Sequence, residues 1–135
     1  SCGNYQVPLF FYAPDNSLKG TDPYVAQQID VLPTTLALLK YDKPFFSFGN
    51  NLLDSAGAST RFAINYVNIC YQYFGNENMV QFDGAKAIGF YKYRSDTLLT
   101  YNFPPNAAAN TDVTRAKAFI QQYNNRVIHN QTWVK

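Results

Sequence analysis

Few side chains in this sequence are of a type that does chemistry, and their spacing keeps them apart. His129 is the single histidine. It falls at the end of a predicted helix, where the negative end of the helix dipole favours a cation, so it reads as structural and exposed before it reads as a base or a ligand. Asp15, Asp22, Asp30, Asp42 and Asp54 sit in predicted loops and caps, whereas a metal site built from nitrogen and carboxylate ligands needs several such groups to converge. Asp30 is the sharpest candidate among them, although its place three residues before Pro33 also suits a helix cap. No Ser/His/Asp or Cys/His arrangement finds a second supporting residue. No glycine-rich phosphate loop occurs, and Gly84 and Gly89 read as hairpin backbone geometry. Arg94-Ser95-Asp96 reads as a turn. Cys2 and Cys70 leave two readings open, a disulfide in an oxidising compartment or two free thiols. Tyr66, Tyr71, Tyr73, Tyr91 and Tyr93 lie on adjacent predicted strands. Exposed together they would make a platform for sugar rings, although packing explains them more simply. On residue chemistry alone, no catalytic, cofactor-binding or metal-ligating residue is assigned within 1–135.

The elements that must position these residues follow from pattern. A chain of 135 residues with 47% hydrophobic and 15% charged residues is globular in composition. Its net charge of +2, with no basic run, lacks the electrostatic footprint of a nucleic-acid binder. No apolar run approaches the ~20 residues that span a bilayer, and no signal peptide is visible. Residues 7–12 are apolar throughout, as a strand buried on both faces should be. Turn-forming residues follow, and then a helix at about 30–40 with Leu32, Leu36 and Leu39 on one face and Pro33 in its first turn. Asp54 to Thr60 is small and polar, the best linker candidate. Short strands at about 61–67, 69–74, 79–83 and 87–93 form an antiparallel meander, with turns at Gly75–Asn78 and Asp83-Gly84. Phe62, Ile64 and Tyr66 share one face of the first strand, Val80 and Phe82 one face of the third, and Ile88 and Phe90 one face of the fourth. A final helix at about 111–129 carries Val113, Ala116, Ile120, Tyr123 and Val127 as an apolar stripe facing the meander.

The expected fold class is therefore α+β. Residues 1–54 form the end of an α/β core, a remnant strand–loop–helix, and residues 55–135 form a subdomain of four-stranded meander and C-terminal helix. One strand–helix unit does not make a parallel sheet, which needs several strands covered on both faces. The chain is thus expected to be the tail of a larger protein. Leu32, Leu36 and Leu39 then require cover from the meander or from another copy of the chain.

Val7-Pro8-Leu9-Phe10-Phe11-Tyr12-Ala13-Pro14 followed by Gln28-Ile29-Asp30-Val31-Leu32-Pro33-Thr34 resembles the late core of sulfatase-type enzymes of the alkaline phosphatase superfamily. Phe48-Gly49-Asn50-Asn51-Leu52-Leu53, Val80-Gln81-Phe82-Asp83-Gly84 and Ile120-Gln121-Gln122-Tyr123-Asn124-Asn125-Arg126 look like the lipoteichoic-acid-synthase-like branch, especially its Bacteroidetes forms. The resemblance implies a metal-dependent phosphoglycerol transferase or related phosphotransferase, anchored in the inner membrane with a periplasmic catalytic domain. Its Thr nucleophile and its ligands for a divalent ion (Mn, Mg, Ca or Zn) would lie upstream of this chain, where the metal lowers the nucleophile's pKa. Gln6 stands where many relatives carry His or Arg, and Thr34 and Thr35 belong to a helix and not to the nucleophile. The chain itself is then structural and inactive alone, without a cofactor of its own, and its partner is the upstream catalytic domain. One alternative parent is a sulfuric ester hydrolase. An alternative from another class is an independent glycan-binding module.

Overall fold

The computed structural model describes residues 6–134. Four short strands, Ala63–Val67 (β1), Cys70–Phe74 (β2), Met79–Phe82 (β3) and Ala87–Tyr91 (β4), form one antiparallel sheet in the order β1-β2-β3-β4. With two helices beside it, the chain is α+β. Local turn chemistry sets this topology. Gly75 donates its N–H to Asn78 O at 2.9 Å, and Asp83 Oδ1 accepts the Ala85 and Lys86 N–H groups around Gly84, whose φ of 102° only glycine adopts readily.

The β1–β2 turn departs from the expected boundaries, because Ile69 is not in a strand. Asn68 and Ile69 make a two-residue turn with φ of 51° and 61°. Such a turn matches the twist of the strands and favours Asn-Gly. An L-residue in this region costs on the order of 1–2 kcal/mol, and a β-branched one is an outlier there.

The core is a row across the sheet. Ile64 pairs with Tyr73, Tyr73 with Val80, and Val80 with Phe90. The helix Ala107–Ile128 (α2) lays Ala109, Val113 and Ala116 on this row, with Phe62, Ala87 and Phe103 at its margins. The α2 helix starts four residues before the expected Thr111, because Asn106 caps it by accepting the Ala109 N–H at 2.9 Å and three alanines, the best helix formers, follow. Of the expected stripe, Val113 and Ala116 pack on the core and Ile120 is half-buried. Beyond it Tyr123 and Val127 are about half exposed. Ile88 does not share the Phe90 face either: Gln81 pairs with Gly89 and Phe82 with Ala87, so Ile88 is the extra residue of a bulge and turns outward.

The outer edges of the sheet are both occupied. At β1 the Ile64 N–H donates to Gln27 Oε1 at 3.3 Å. At β4 the Phe90 N–H donates to Asn102 Oδ1, and Phe90 O accepts the Phe103 N–H, each at 3.0 Å.

In the N-terminal part, a 3₁₀ turn at Gln28–Asp30 leads into the helix Val31–Leu38 (α1). Both helices end in the same motif, with Lys40 N–H on Ala37 O and Tyr41 N–H on Leu36 O after α1, and Asn130 N–H on Val127 O and Gln131 N–H on Arg126 O after α2. Residues 7–12, expected as a buried strand, form none. Val7, Phe10 and Tyr12 are 80%, 84% and 88% exposed. The physical reason is that a strand is stabilised by its neighbours, and no strand among the described residues lies beside this one. Leu32 and Leu39 are likewise exposed, so the meander does not cover them.

Candidate functional site

The densest polar constellation lies where the 3₁₀ turn, α1 and the loop at 49–54 meet. Asp30 is fully buried. Its Oδ2 accepts the Gln27 N–H at 2.9 Å, closing a capping box, and its Oδ1 accepts the Asn50 N–H at 2.7 Å, with Asn50 Nδ2 at 3.5 Å. One turn on, the buried Thr34 hydroxyl donates to Asp30 O at 2.6 Å and accepts the Leu52 N–H at 3.0 Å. Asp30 and Thr34 therefore hold the backbone of the second loop as well as the helix start. Gly49 completes the joint: a Cβ there would fall 2.0 Å from Ile29 O, so only glycine allows the two segments to approach this closely.

Arg61 adds a second tie that sequence reasoning missed. It follows the expected linker, yet it is buried. Its guanidinium pairs with Asp22 and donates to Leu52 O at 2.8 Å and Asp54 O at 3.1 Å. Partial burial disfavours the Asp22 carboxylate, but the Arg61 bond, the Tyr24 N–H and the Arg61 charge outweigh it and hold its pKa below the ordinary value. The expected linker itself is folded, with a 3₁₀ turn at Ala58–Thr60 and Ala58 buried.

The remaining candidates do not converge on this joint. Asp15 and Asp54 each accept an N–H two residues on, from Ser17 and Ala56, and Asp42 is exposed. His129 Nδ1 lies 2.8 Å from Asn125 O, one helical turn back. Cys70 is half-buried, and burial pushes its thiol pKa up; Cys2 lies outside the described residues. Arg94, Ser95 and Asp96 diverge. Arg94 Nε donates to Asn76 O at 2.6 Å and its Nη2 to Pro23 O at 3.0 Å, while Asp96 accepts the Thr100 hydroxyl and the Tyr101 N–H. A shallow hollow of about 280 Å³ lies beside them, lined by Lys92, Ser95, Asp96, Tyr101 and Phe103. Among the described residues, no group of three His, Cys, Asp or Glu comes together.

The tyrosines do not share a face. Strand register puts Tyr66, Tyr71 and Tyr73 on the α2 side of the sheet and Tyr91 on the other. Tyr73 is fully buried beside Asp112 of α2, also buried. Burial and the Asp112 charge push the Tyr73 hydroxyl up to about 12. The pKa of Asp112 is raised by burial first and then by Glu77, against the Arg115 charge and a bond from Asn78. No sequence signal announced Asp112, which occupies a helical position surrounded by ordinary polar residues. Comparison of the chain with protein-family models, with curated proteins and with solved structures finds no match.

Proposed function

We propose that this chain is the structural C-terminal portion of a metal-dependent phosphoglycerol transferase or sulfatase-type enzyme. On this reading the nucleophile and the divalent-metal ligands come from an upstream catalytic domain of the same polypeptide, anchored in the inner membrane and facing the periplasm. The observation that supports it is the joint around Asp30. The segments 28–34 and 48–53, which carry the family resemblance, dock on one another through Asp30, Thr34 and Gly49, and every strong bond of Asp30 and Thr34 is made to backbone. These residues are fully used in holding two loops together. The exposed Val7, Phe10, Tyr12, Leu32 and Leu39 are the apolar surface that such a domain would cover.

Purified 1–135, incubated with aryl phosphate or aryl sulfate and each candidate divalent ion, should show no turnover above buffer. Turnover by this chain alone would overturn the reading. In a longer polypeptide carrying the catalytic domain, Asp30→Ala should lower the yield of folded enzyme and leave kcat per folded molecule unchanged; a loss of kcat at full yield would give Asp30 a chemical role instead.

A further inference from the structure

The turn between β1 and β2 places an isoleucine where the backbone asks for glycine. Ile69, with φ of 61°, is 81% exposed, so its side chain gains little from the fold in return for the strained backbone. The surface around it has a definite character. Tyr66, 61% exposed, packs against Tyr71 with ring centres 4.7 Å apart and planes tilted by 54°, and the Tyr71 ring centre lies 6.3 Å from that of Phe82. The Lys117 ammonium of α2 stands 5.5 Å from the centre of the Phe82 ring. Strand order brings the β3–β4 turn, with its exposed Lys86, to the same end of the sheet. The one carboxylate in that turn, Asp83, has an oxygen engaged by the Ala85 and Lys86 N–H groups.

We propose that this end of the sheet is a lipid-surface contact, with Ile69 entering the acyl boundary of an anionic bilayer. Tyr66 lies at the level of the headgroups, where tyrosine is enriched at membrane interfaces, and Lys86 and Lys117 face the lipid phosphates. A tip that projects from the end of a hairpin suits a fluid bilayer, which needs no matching cavity, and the flanking lysines give the charge complement. Contact through one aliphatic side chain and two cations is weak and reversible. It holds or fails independently of the enzyme proposed above.

The test is co-sedimentation of the full 135-residue chain with phosphatidylcholine vesicles, with and without added phosphatidylglycerol. Binding should require the anionic lipid, weaken with salt, and fall roughly tenfold in Ile69→Gly. That variant relieves the turn and should melt at a higher temperature than the parent chain, so a loss of binding will not reflect unfolding. Replacing Phe10 and Tyr12 with Ser should leave binding intact. The proposal is overturned by absence of binding, by equal binding of Ile69→Gly, or by binding that depends on Phe10 and Tyr12 instead. An Ile69-dependent dimer in sedimentation velocity also overturns it and assigns the tip to a second copy.

Discussion

The joint around Asp30 and the layer formed by the sheet and α2 are ordered by different means. In the layer, Tyr73, Val80, Phe90, Ala109 and Ala116 exclude water from a continuous apolar row, and the strands supply a backbone ladder beneath it. In the joint, Asp30, Thr34 and Arg61 reach out to backbone groups up to 20 residues away, and Arg61 pairs with the Asp22 carboxylate 39 residues away, with little apolar cover over α1. Apolar order is cooperative, because every member of the row loses contacts when one is removed. Polar order of the second kind is local, and it leaves specific N–H and C=O groups unpaired when it fails. The two regions should therefore break differently.

The largest effect should follow Tyr73→Ala, which empties the centre of the row and should cost about 3–5 kcal/mol. Chemical denaturation should show the loss across the whole chain, and a loss confined to part of it would contradict the cooperative picture. Arg61→Met should cost about 2 kcal/mol, less than a fully buried pair because Asp22 is partly exposed. Hydrogen exchange should then quicken at 50–54 while the β2 and β3 amides keep their protection. Asp30→Ala, which strips acceptors from the Gln27 and Asn50 N–H groups, should cost about 1–2 kcal/mol with the same local pattern.

Smallest is Asp112→Asn, expected to stabilise by less than about 1 kcal/mol at neutral pH. The folded pKa of Asp112 is raised, so its ionisation destabilises the fold as pH rises through that value, and below the unfolded pKa the penalty is absent. Asp22 has the opposite sign. Its pKa is lowered, so its contribution is present above the unfolded value and is lost as pH falls through the folded one. Thermal melts of the Asn variant and the parent chain should differ at neutral pH and converge on acidification. A parent chain that melts above the Asn variant at neutral pH would show instead that Asp112 stabilises the fold as an anion.

The layer was legible in the sequence because its instructions are local. Gly75–Asn78 and Asp83-Gly84 specify their turns without reference to distant residues, and the spacing from Val113 to Ile120 marks the buried side of α2. The failures share one cause, dependence on groups remote in sequence. Residues 7–12 have the composition of a buried strand, but strand formation depends on neighbours that composition does not name. Arg61 looks like an ordinary charged residue after a linker until Leu52 O, Asp54 O and Asp22 are brought round it. Asp30 reads as a cap of the helix it precedes, yet its carboxylate makes no bond to the first turn of α1 and instead accepts the Gln27 and Asn50 N–H groups, and the hold on Asn50 required the fold. Ile69 and Ile88 were read as strand residues because apolar character is shared by turn, bulge and ladder positions alike.

Gln27 at β1, with Asn102 and Phe103 at β4, has a consequence for what the sheet does not become. An uncovered edge is a template for another chain, the first step toward fibrous aggregates. The Gln27 carboxamide fills one edge site with a side chain, which cannot propagate a ladder, and the 102–103 segment closes the opposite edge with one side-chain and one backbone bond. Strand addition to the meander therefore meets an occupied position at each margin, Ile64 on β1 and Phe90 on β4, filled by three residues outside the sheet.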